Sequence, residues 1–218
     1  MKRKILCTCL IYLLGVSVSY AEISKAVVER AWNKVAGADG FEKIAITYEK
    51  DESPNAWVAF KSSKNYSVHI TAGLMKILNS EEEMAGVWGH EIGHVRLGHY
   101  NKGVTRNVIW NVLGAVIDYK TQGSGTKGQI IKGVGNVGMN LAENKFSRTD
   151  ETQADDYGTK LLVKAGYSAW GLYNAMSRFK DNNYITKGGL EGLFSSHPAT
   201  EDRLKHLAEV AQSLEPKK

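Results

Sequence analysis

The feature that most constrains this chain is a five-residue segment, residues 90–94, which reads His-Glu-Ile-Gly-His. On a helix, positions i and i+4 share one face, so His90 and His94 can point at a single metal ion. Neutral imidazole is a good zinc ligand, and a catalytic zinc site usually takes three protein ligands and keeps one open position. Glu91 lies beside the first histidine, where it can serve as general base toward an attacking water. The segment therefore predicts a zinc-dependent hydrolase whose third ligand comes from elsewhere in the chain.

A second segment, residues 147–155, supplies a candidate for that ligand. It reads Ser-Arg-Thr-Asp-Glu-Thr-Gln-Ala-Asp, and Ser147 and Asp150 have the spacing of a helix capping box. Glu151 then falls in the first turn of a helix and is our candidate third ligand. Asp155 shares its face and can accept the second ring N–H of a ligating histidine. An exposed helical glutamate alone would be a common surface residue, so the prediction depends on both segments together.

The helix that carries the first segment has further marks. Residues 80–83, Ser-Glu-Glu-Glu, have capping-box spacing and should begin it. His99 comes five residues after His94, so on a continued helix it would lie on another face, and we interpret it as a helix-end residue rather than a ligand. Three glycines, each costing about 1 kcal/mol in a helix relative to alanine, indicate either close approach of a backbone or substrate, or a tight helix crossing. They are Gly86, Gly89 and Gly93.

The first 21 residues have the pattern of a secretory leader. Residues 2–4 are Lys-Arg-Lys, and they precede an apolar run over residues 5–18 that is short for a membrane span. Residues 19–21, Ser-Tyr-Ala, end the run with small residues at the two positions that signal peptidase reads. We predict cleavage after Ala21 and a single periplasmic or secreted domain over residues 22–218. The alternative is an uncleaved N-terminal anchor.

Composition excludes two classes of function. Both cysteines, Cys7 and Cys9, lie early in the leader, which argues against a lipid anchor and leaves the mature chain without disulfide or thiol chemistry. The net charge of +5 also falls with the leader, because removing three of the 28 basic residues leaves 25 against 23 acidic residues. A balance this even, with no basic run between aromatic residues, predicts that nucleic acid is not a partner.

The remaining patterns predict an α+β fold, a mostly helical zincin-like metallopeptidase domain with a small antiparallel sheet. Alternating apolar residues predict strands over residues 43–49, 55–60 and 67–71. Helical spacing marks residues 23–36, 73–78, 151–166, 168–179 and 201–214. Residues 104–142 are interpreted as a helical hairpin that packs on the core or makes peripheral contact with a membrane.

These segments resemble the HtpX-type zinc metallopeptidases, the family that also contains the type I CaaX prenyl endopeptidase. The resemblance covers most of residues 44–206. Its pieces are residues 55–57 with 68–74, residues 90–94, residues 147–155, and Ser-His-Pro at 196–198 followed by Arg203. It implies one zinc ion per chain, bound by His90, His94 and Glu151, with Glu91 as the base.

The resemblance also implies roles for residues that spacing alone does not single out. His197, in the His-Pro pair, is implied in transition-state stabilisation or in covering the metal in latent forms. Arg203 is expected to hold that loop through a carboxylate such as Asp155. The strand at residues 55–60 is expected to bind an extended peptide through main-chain hydrogen bonds. Its implied substrate-binding residues are Asn55, Ala56 and Trp57.

Two rival functions remain alongside the peptidase. HtpX itself has membrane-spanning helices, and this chain shows no such segment after the leader, so it looks like a small soluble periplasmic branch. That likeness implies protein or peptide substrates and quality control of misfolded envelope proteins. An inactive or latent protease fold acting as a chaperone or binding module is one rival, and a membrane-inserting structural protein built on residues 104–142 is the other. The complete ligand set and Glu91 favour the enzyme. The sequence assigns no oligomeric state.

Overall fold

The described part of the chain is mostly helical. A computed structural model describes residues 22–62, 65–100, 146–181, 197 and 200–215. Its elements are α1 (Lys25–Asp39), β1 (Ile46–Glu49), β2 (Ala56–Ser62), β3 (Asn65–Thr71), α2 (Ala72–Ile77), α3 (Glu81–Arg96), α4 (Arg148–Lys164), α5 (Gly171–Asp181) and α6 (Glu201–Leu214). The predicted mostly helical α+β class is confirmed. Among the described residues, no helix is both long and apolar enough to span a bilayer. The predicted leader and the hairpin over residues 104–142 lie outside the described residues.

The small sheet is mixed rather than antiparallel. Its strand order is β1-β3-β2, in which β2 pairs antiparallel with β3 but β1 pairs parallel with β3. The expectation of an antiparallel sheet is therefore wrong for β1, because alternation identifies a strand without identifying its neighbour. Within the described residues, nothing pairs with the other side of β2.

Main-chain groups of β2 point alternately into the sheet and out to this open edge. The N–H of Thr71 donates to the carbonyl of Asn55 at 2.9 Å, which makes these two residues a hydrogen-bonded pair. In an antiparallel ladder the bonded pairs alternate with non-bonded ones. The N–H and C=O groups of Trp57 therefore also face β3, whereas those of Ala56 and Val58 face the open edge.

Helix α3 is the central element of the domain. Every residue from Glu83 to His94 is buried, and the helix packs against α1, α4, α5 and β2. On the α1 side, Trp88 meets Trp32 edge to face, with ring centroids 5.3 Å apart. A helix enclosed on all sides has no solvent face, so its polar residues are buried by their position in the fold. The motif histidines lie on this enclosed helix.

Glycines allow α3 and α4 to cross at backbone contact. A Cβ atom on Gly89 would lie 3.0 Å from the carbonyl oxygen of Gly158, and one on Gly93 would lie 3.0 Å from that of Ala154. In the opposite direction, a Cβ on Gly158 would lie 2.7 Å from the backbone nitrogen of His90. The glycines of α3 therefore allow close approach of another backbone, and this approach occurs at tight helix crossings.

The caps of α3 and α4 differ. Ser80 accepts a hydrogen bond from the Glu83 N–H at 3.1 Å, but the Glu83 carboxylate accepts from the N–H of Asn79 and not from Ser80. The predicted capping box of α3 is therefore only half formed. At α4 the box is complete, because Ser147 and Asp150 each accept from the other's backbone N–H. This cap determines where α4 begins and places Glu151 in its first turn.

The substitution Gly158→Ala tests the crossing. We expect it to lower the free energy of unfolding by about 1–3 kcal/mol, because the added Cβ overlaps rigid backbone and the helices must separate. Urea denaturation measures the change. Gly37→Ala in α1 is a matched control, since a Cβ there meets only the end of the Lys43 side chain at 3.9 Å. That variant should gain up to about 1 kcal/mol from helix propensity. Equal stability of the two variants would contradict the crossing.

Candidate active site

Four buried side chains converge where α3 crosses the start of α4. The ligand atoms of His90, His94, Glu151 and His197 all lie within 4.8 Å of one another. The two Nε2 atoms of His90 and His94 are 3.0 Å apart, and His94 Nε2 is 3.4 Å from Glu151 Oε1. His197 Nδ1 lies 3.0 Å from the same Glu151 oxygen and 3.2 Å from His90 Nε2. The structure thus brings together the three predicted metal ligands and adds His197 as a fourth donor.

The proton positions of these rings fit a bound cation. His90 Nδ1 lies 2.9 Å from Asp155 Oδ1 in a close contact that is poorly aligned for a hydrogen bond, so its attraction is mainly electrostatic. A carboxylate oxygen only accepts, so this ring carries its proton on Nδ1 and turns the Nε2 lone pair toward His94. At 3.0 Å from His94 Nε2, this lone pair can either accept a proton from His94 or share a cation with it. Three imidazoles and a carboxylate are a suitable donor set for such an ion.

The electrostatics favour the metal-binding protonation states of two ligands. Burial lowers the pKa of His94 well below its usual value, and Glu151 opposes this only in part. Burial acts to raise the pKa of the Glu151 carboxyl, but His197 and the motif histidines outweigh it and keep that pKa far below its usual range. For His90, burial acts to lower the pKa, yet Asp155 and Glu151 raise it to about 9. Imidazole binds metals in its neutral form, so a cation would replace the second proton of His90, the one on Nε2, and leave the proton on Nδ1.

Glu91 is fully buried beside this cluster, and one of its oxygens is engaged. The hydroxyl of Tyr100 donates to Glu91 Oε2 at 3.0 Å. Glu91 Oε1 lies 3.7 Å from His197 Nε2 and has no hydrogen-bond partner among the described residues. Burial and the charge of Glu91 raise the pKa of Tyr100 well above its usual value, so the phenol stays a donor. The Val58 backbone opposes part of this rise in the pKa of Tyr100, so the edge of β2 lies near the hydroxyl that contacts Glu91.

His99 contacts a motif histidine instead of facing away from it. Its Nδ1 lies 3.0 Å from Nδ1 of His94, although His99 is not one of the four converging donors. Placing it on another face assumed that α3 continues, and that assumption is wrong. The helix ends at Arg96, and Gly98 has a φ of 68°, a left-handed conformation that reverses the chain.

Of the three predicted substrate-binding residues, only Ala56 directs its main chain to the open edge. The Asn55 N–H donates to the Thr71 hydroxyl at 2.8 Å, and its carbonyl accepts the Thr71 N–H, so both groups are used inside the sheet. The Trp57 ring stacks on His69 with centroids 4.7 Å apart and an interplanar angle of 1°. Substrate binding by these residues stays a prediction. Of the three, only Ala56 has main-chain groups that could bind a peptide at this edge.

Arg203 makes the contact expected of it and a further one. Its guanidinium donates to both oxygens of Asp155, at 2.9 and 2.7 Å, and lies 2.7 Å from Glu151 Oε2. Burial acts to raise the pKa of Asp155, but Arg203 outweighs it and lowers that pKa. The carboxylate that backs His90 is thus kept charged by an arginine from α6.

Comparison with known proteins assigns the family. Residues 22–211 match the model of peptidase family M48. The chain belongs to this family. It is 30% identical over 188 residues to metalloprotease YcaL of Escherichia coli (strain K12), which covers 86% of this chain and 66% of that one. It is 32% identical over 144 residues to metalloprotease LoiP of the same strain, covering 66% of this chain and 54% of the relative. A protease HtpX homolog of Thermococcus sibiricus is 28% identical over 215 residues, which cover 79% of this chain and 68% of the relative.

The chain therefore carries an M48 metalloprotease domain, a type of hydrolase. It spans about two thirds of the length of YcaL and about half of the length of LoiP.

Reasoning from the sequence missed two residues of this M48 site, His99 and Tyr100. One signal could have found them. A glycine just past a motif helix is a common left-handed stop, so Gly98 indicates a chain reversal that returns the next residues toward His94. Nothing local to Tyr100 indicates its contact with Glu91.

Proposed function

We propose that this M48 domain is a zinc-dependent endopeptidase that hydrolyses peptide bonds of proteins. The observation that carries the proposal is the buried convergence of His90, His94 and Glu151 with Glu91 beside them. Two histidines and a glutamate are a ligand set of zinc peptidases, and imidazole nitrogen suits zinc better than it suits magnesium or calcium. One ion per chain is expected, because the described residues contain this one group of convergent donors.

The open edge of β2 supports the proposal that a peptide substrate binds there. An extended segment can add there as a further strand, using the outward main-chain groups of Ala56 and Val58. The Tyr100 hydroxyl donates to Glu91 and lies near the Val58 backbone, so the edge of β2 and the base are close to one another. A scissile bond in such a strand would pass close to Glu91.

The chain's own residues account for the proton transfers. When bound, zinc supplies Lewis acidity toward a water and a carbonyl oxygen. Glu91 Oε1, which has no hydrogen-bond partner among the described residues, accepts the proton of the attacking water and passes it to the leaving amine. Tyr100 holds the other oxygen, so the carboxylate keeps one orientation through both transfers. Asp155 and Arg203 keep the His90 ring in its ligating tautomer.

The position of His197 favours a latent resting form, which is the part of the chaperone alternative that an observation supports. Its Nδ1 lies among the ligand atoms, 3.2 Å from His90 and 3.0 Å from Glu151. Catalytic zinc keeps a position open, and a fourth protein ligand closes it. We propose that His197 would hold the metal as a fourth ligand at rest, and that in the active form it would move aside and donate a hydrogen bond to the developing oxyanion.

The base and the ligand set are tested with Glu91→Gln and His94→Ala. The isosteric amide cannot accept a proton, so Glu91→Gln should keep one zinc per chain and lose casein cleavage by about 10²- to 10⁴-fold. His94→Ala should lose its zinc. Elemental analysis and casein proteolysis give the two readouts. Glu82→Gln, an exposed carboxylate on the same helix, is the matched control. Undiminished casein cleavage by Glu91→Gln, or an unchanged zinc content in His94→Ala, would contradict the proposal.

For the variant His197→Ala we expect both KM and kcat to fall, for two different reasons. In His197→Ala, KM for a chromogenic peptide should fall, because the substrate no longer displaces an imidazole from the metal. The kcat should fall by about 10²- to 10³-fold, because an oxyanion donor is lost. Zinc content should stay at one per chain. His206→Ala, which removes a histidine paired with Asp156 away from the cluster, is the control. An unchanged KM refutes the covering role.

We further propose that the protein acts outside the cytoplasm, in quality control of misfolded envelope proteins. The leader pattern of residues 1–21 supports the location, and the resemblance to HtpX-type enzymes supports the substrate class. Membrane contact through residues 104–142 stays a prediction. Cell fractionation followed by N-terminal sequencing should recover a periplasmic chain that starts at Glu22. Recovery of the full-length chain from the cytoplasm would contradict this location.

A further inference from the structure

The two motif histidines are backed by different groups. On His90 the ring nitrogen away from the cluster faces the carboxylate of Asp155 at 2.9 Å. On His94 the corresponding nitrogen, Nδ1, faces Nδ1 of His99 at 3.0 Å. Both Asp155 and His99 have no exposed surface. His99 thus occupies, behind the second ligand, the place that a carboxylate occupies behind the first.

Two acceptors that face Nε2 of His99 indicate which ring donates in this pair. Its Nε2 lies 3.1 Å from Gln153 Oε1 and 3.6 Å from Asp150 Oδ1, and both oxygens are acceptors. Nε2 of a neutral His99 therefore carries the proton, and Nδ1 keeps its lone pair. His94 must then donate from Nδ1, which leaves the lone pair on its Nε2. That atom lies 3.0 Å from His90 Nε2, inside the converging donor set.

The opposite proton arrangement would close the site to metal. If His99 carried a proton on Nδ1, that proton would point at His94 Nδ1, and the proton of His94 would move to Nε2. A protonated Nε2 cannot donate a lone pair to a cation. The contacts of His99 with Gln153 and Asp150, near the start of α4, therefore select the tautomer of His94 that can bind metal.

We propose that His99 is a positioning residue, which accepts the Nδ1 proton of His94 and orients that ring toward the metal. The inference rests on the proposed metal site. It also connects two parts of that site, because Asp150, the second member of the capping box, directly precedes the third ligand, Glu151. His99 thereby couples the ring orientation at the end of α3 to the start of α4.

The test measures metal affinity rather than catalysis. The zinc dissociation constant is determined by competition with a chelator for the wild type, His99→Leu and His99→Asn, and the unfolding temperature is measured on each metal-free protein. Leucine removes the acceptor, and we expect it to weaken zinc binding by about 10- to 100-fold. Asparagine carries an oxygen at the position of the imidazole Nδ1, so it should restore most of the affinity. His206→Leu is the control, since it removes a histidine bonded to Asp156 on the same helix, and it should bind zinc like the wild type.

The possible outcomes separate this inference from the proposed function. Wild-type zinc affinity in His99→Leu overturns the positioning role alone. Equal losses of zinc affinity in His99→Leu and His99→Asn also overturn it, because they would show that restoring a hydrogen-bond acceptor does not restore binding. If His99→Leu does not fold, His99→Asn alone decides the question. Retained zinc affinity in His99→Asn supports the positioning role, and a loss as large as that expected for leucine overturns it. Failure of the wild type to bind zinc overturns the proposed function together with this inference.

Discussion

The site depends on how closely α3 and α4 can approach. Backbone contact between Gly89 and Gly158 brings the helices together at the level of His90, and the packing of Gly93 on Ala154 continues the contact by one turn. Side chains of ordinary size at these positions would separate the two helices and move Glu151 away from the motif histidines. The glycines cost helix propensity, about 1 kcal/mol each. That cost accompanies a crossing in which imidazole and carboxylate groups lie in direct contact.

Such a crossing buries charge, and the buried charges do not cancel by themselves. Glu91, Glu151 and Asp155 are anionic and buried, and Arg203 is the cation bonded to two of them. With neutral imidazoles, these four side chains sum to two negative charges. Uncompensated buried charge is strongly unfavourable, and a divalent cation at the convergent donors would balance it. The raised pKa of His90 has the same origin, since its proton compensates for part of that charge. The buried negative charge and the donor geometry therefore both favour a cation at this site.

The parts of this site that could be predicted from the sequence are those set by local rules. Helical spacing gives the shared face of His90 and His94, and the cap of Ser147 gives the first-turn position of Glu151. His99 could not be placed this way, because spacing arguments assume that a helix continues, and one left-handed glycine ends that assumption. The parallel pairing of β1 with β3 could not be predicted either, since it joins strands that are not consecutive. His197 came only from resemblance, as its approach to Glu151 depends on long-range packing.

That long-range packing and the metal site support one another. His197 precedes α6, and Arg203 on α6 bonds Asp155 and Glu151 on α4, so docking of α6 also brings His197 to the donors. The converging ligands thus come from three separate segments of the chain. A cation that binds all of them crosslinks α3, α4 and the approach to α6, and it binds the folded chain only, because unfolding disperses the ligands. Its binding free energy then adds to the stability of the fold. The residues that hold the metal for chemistry would therefore also hold the last helix in place.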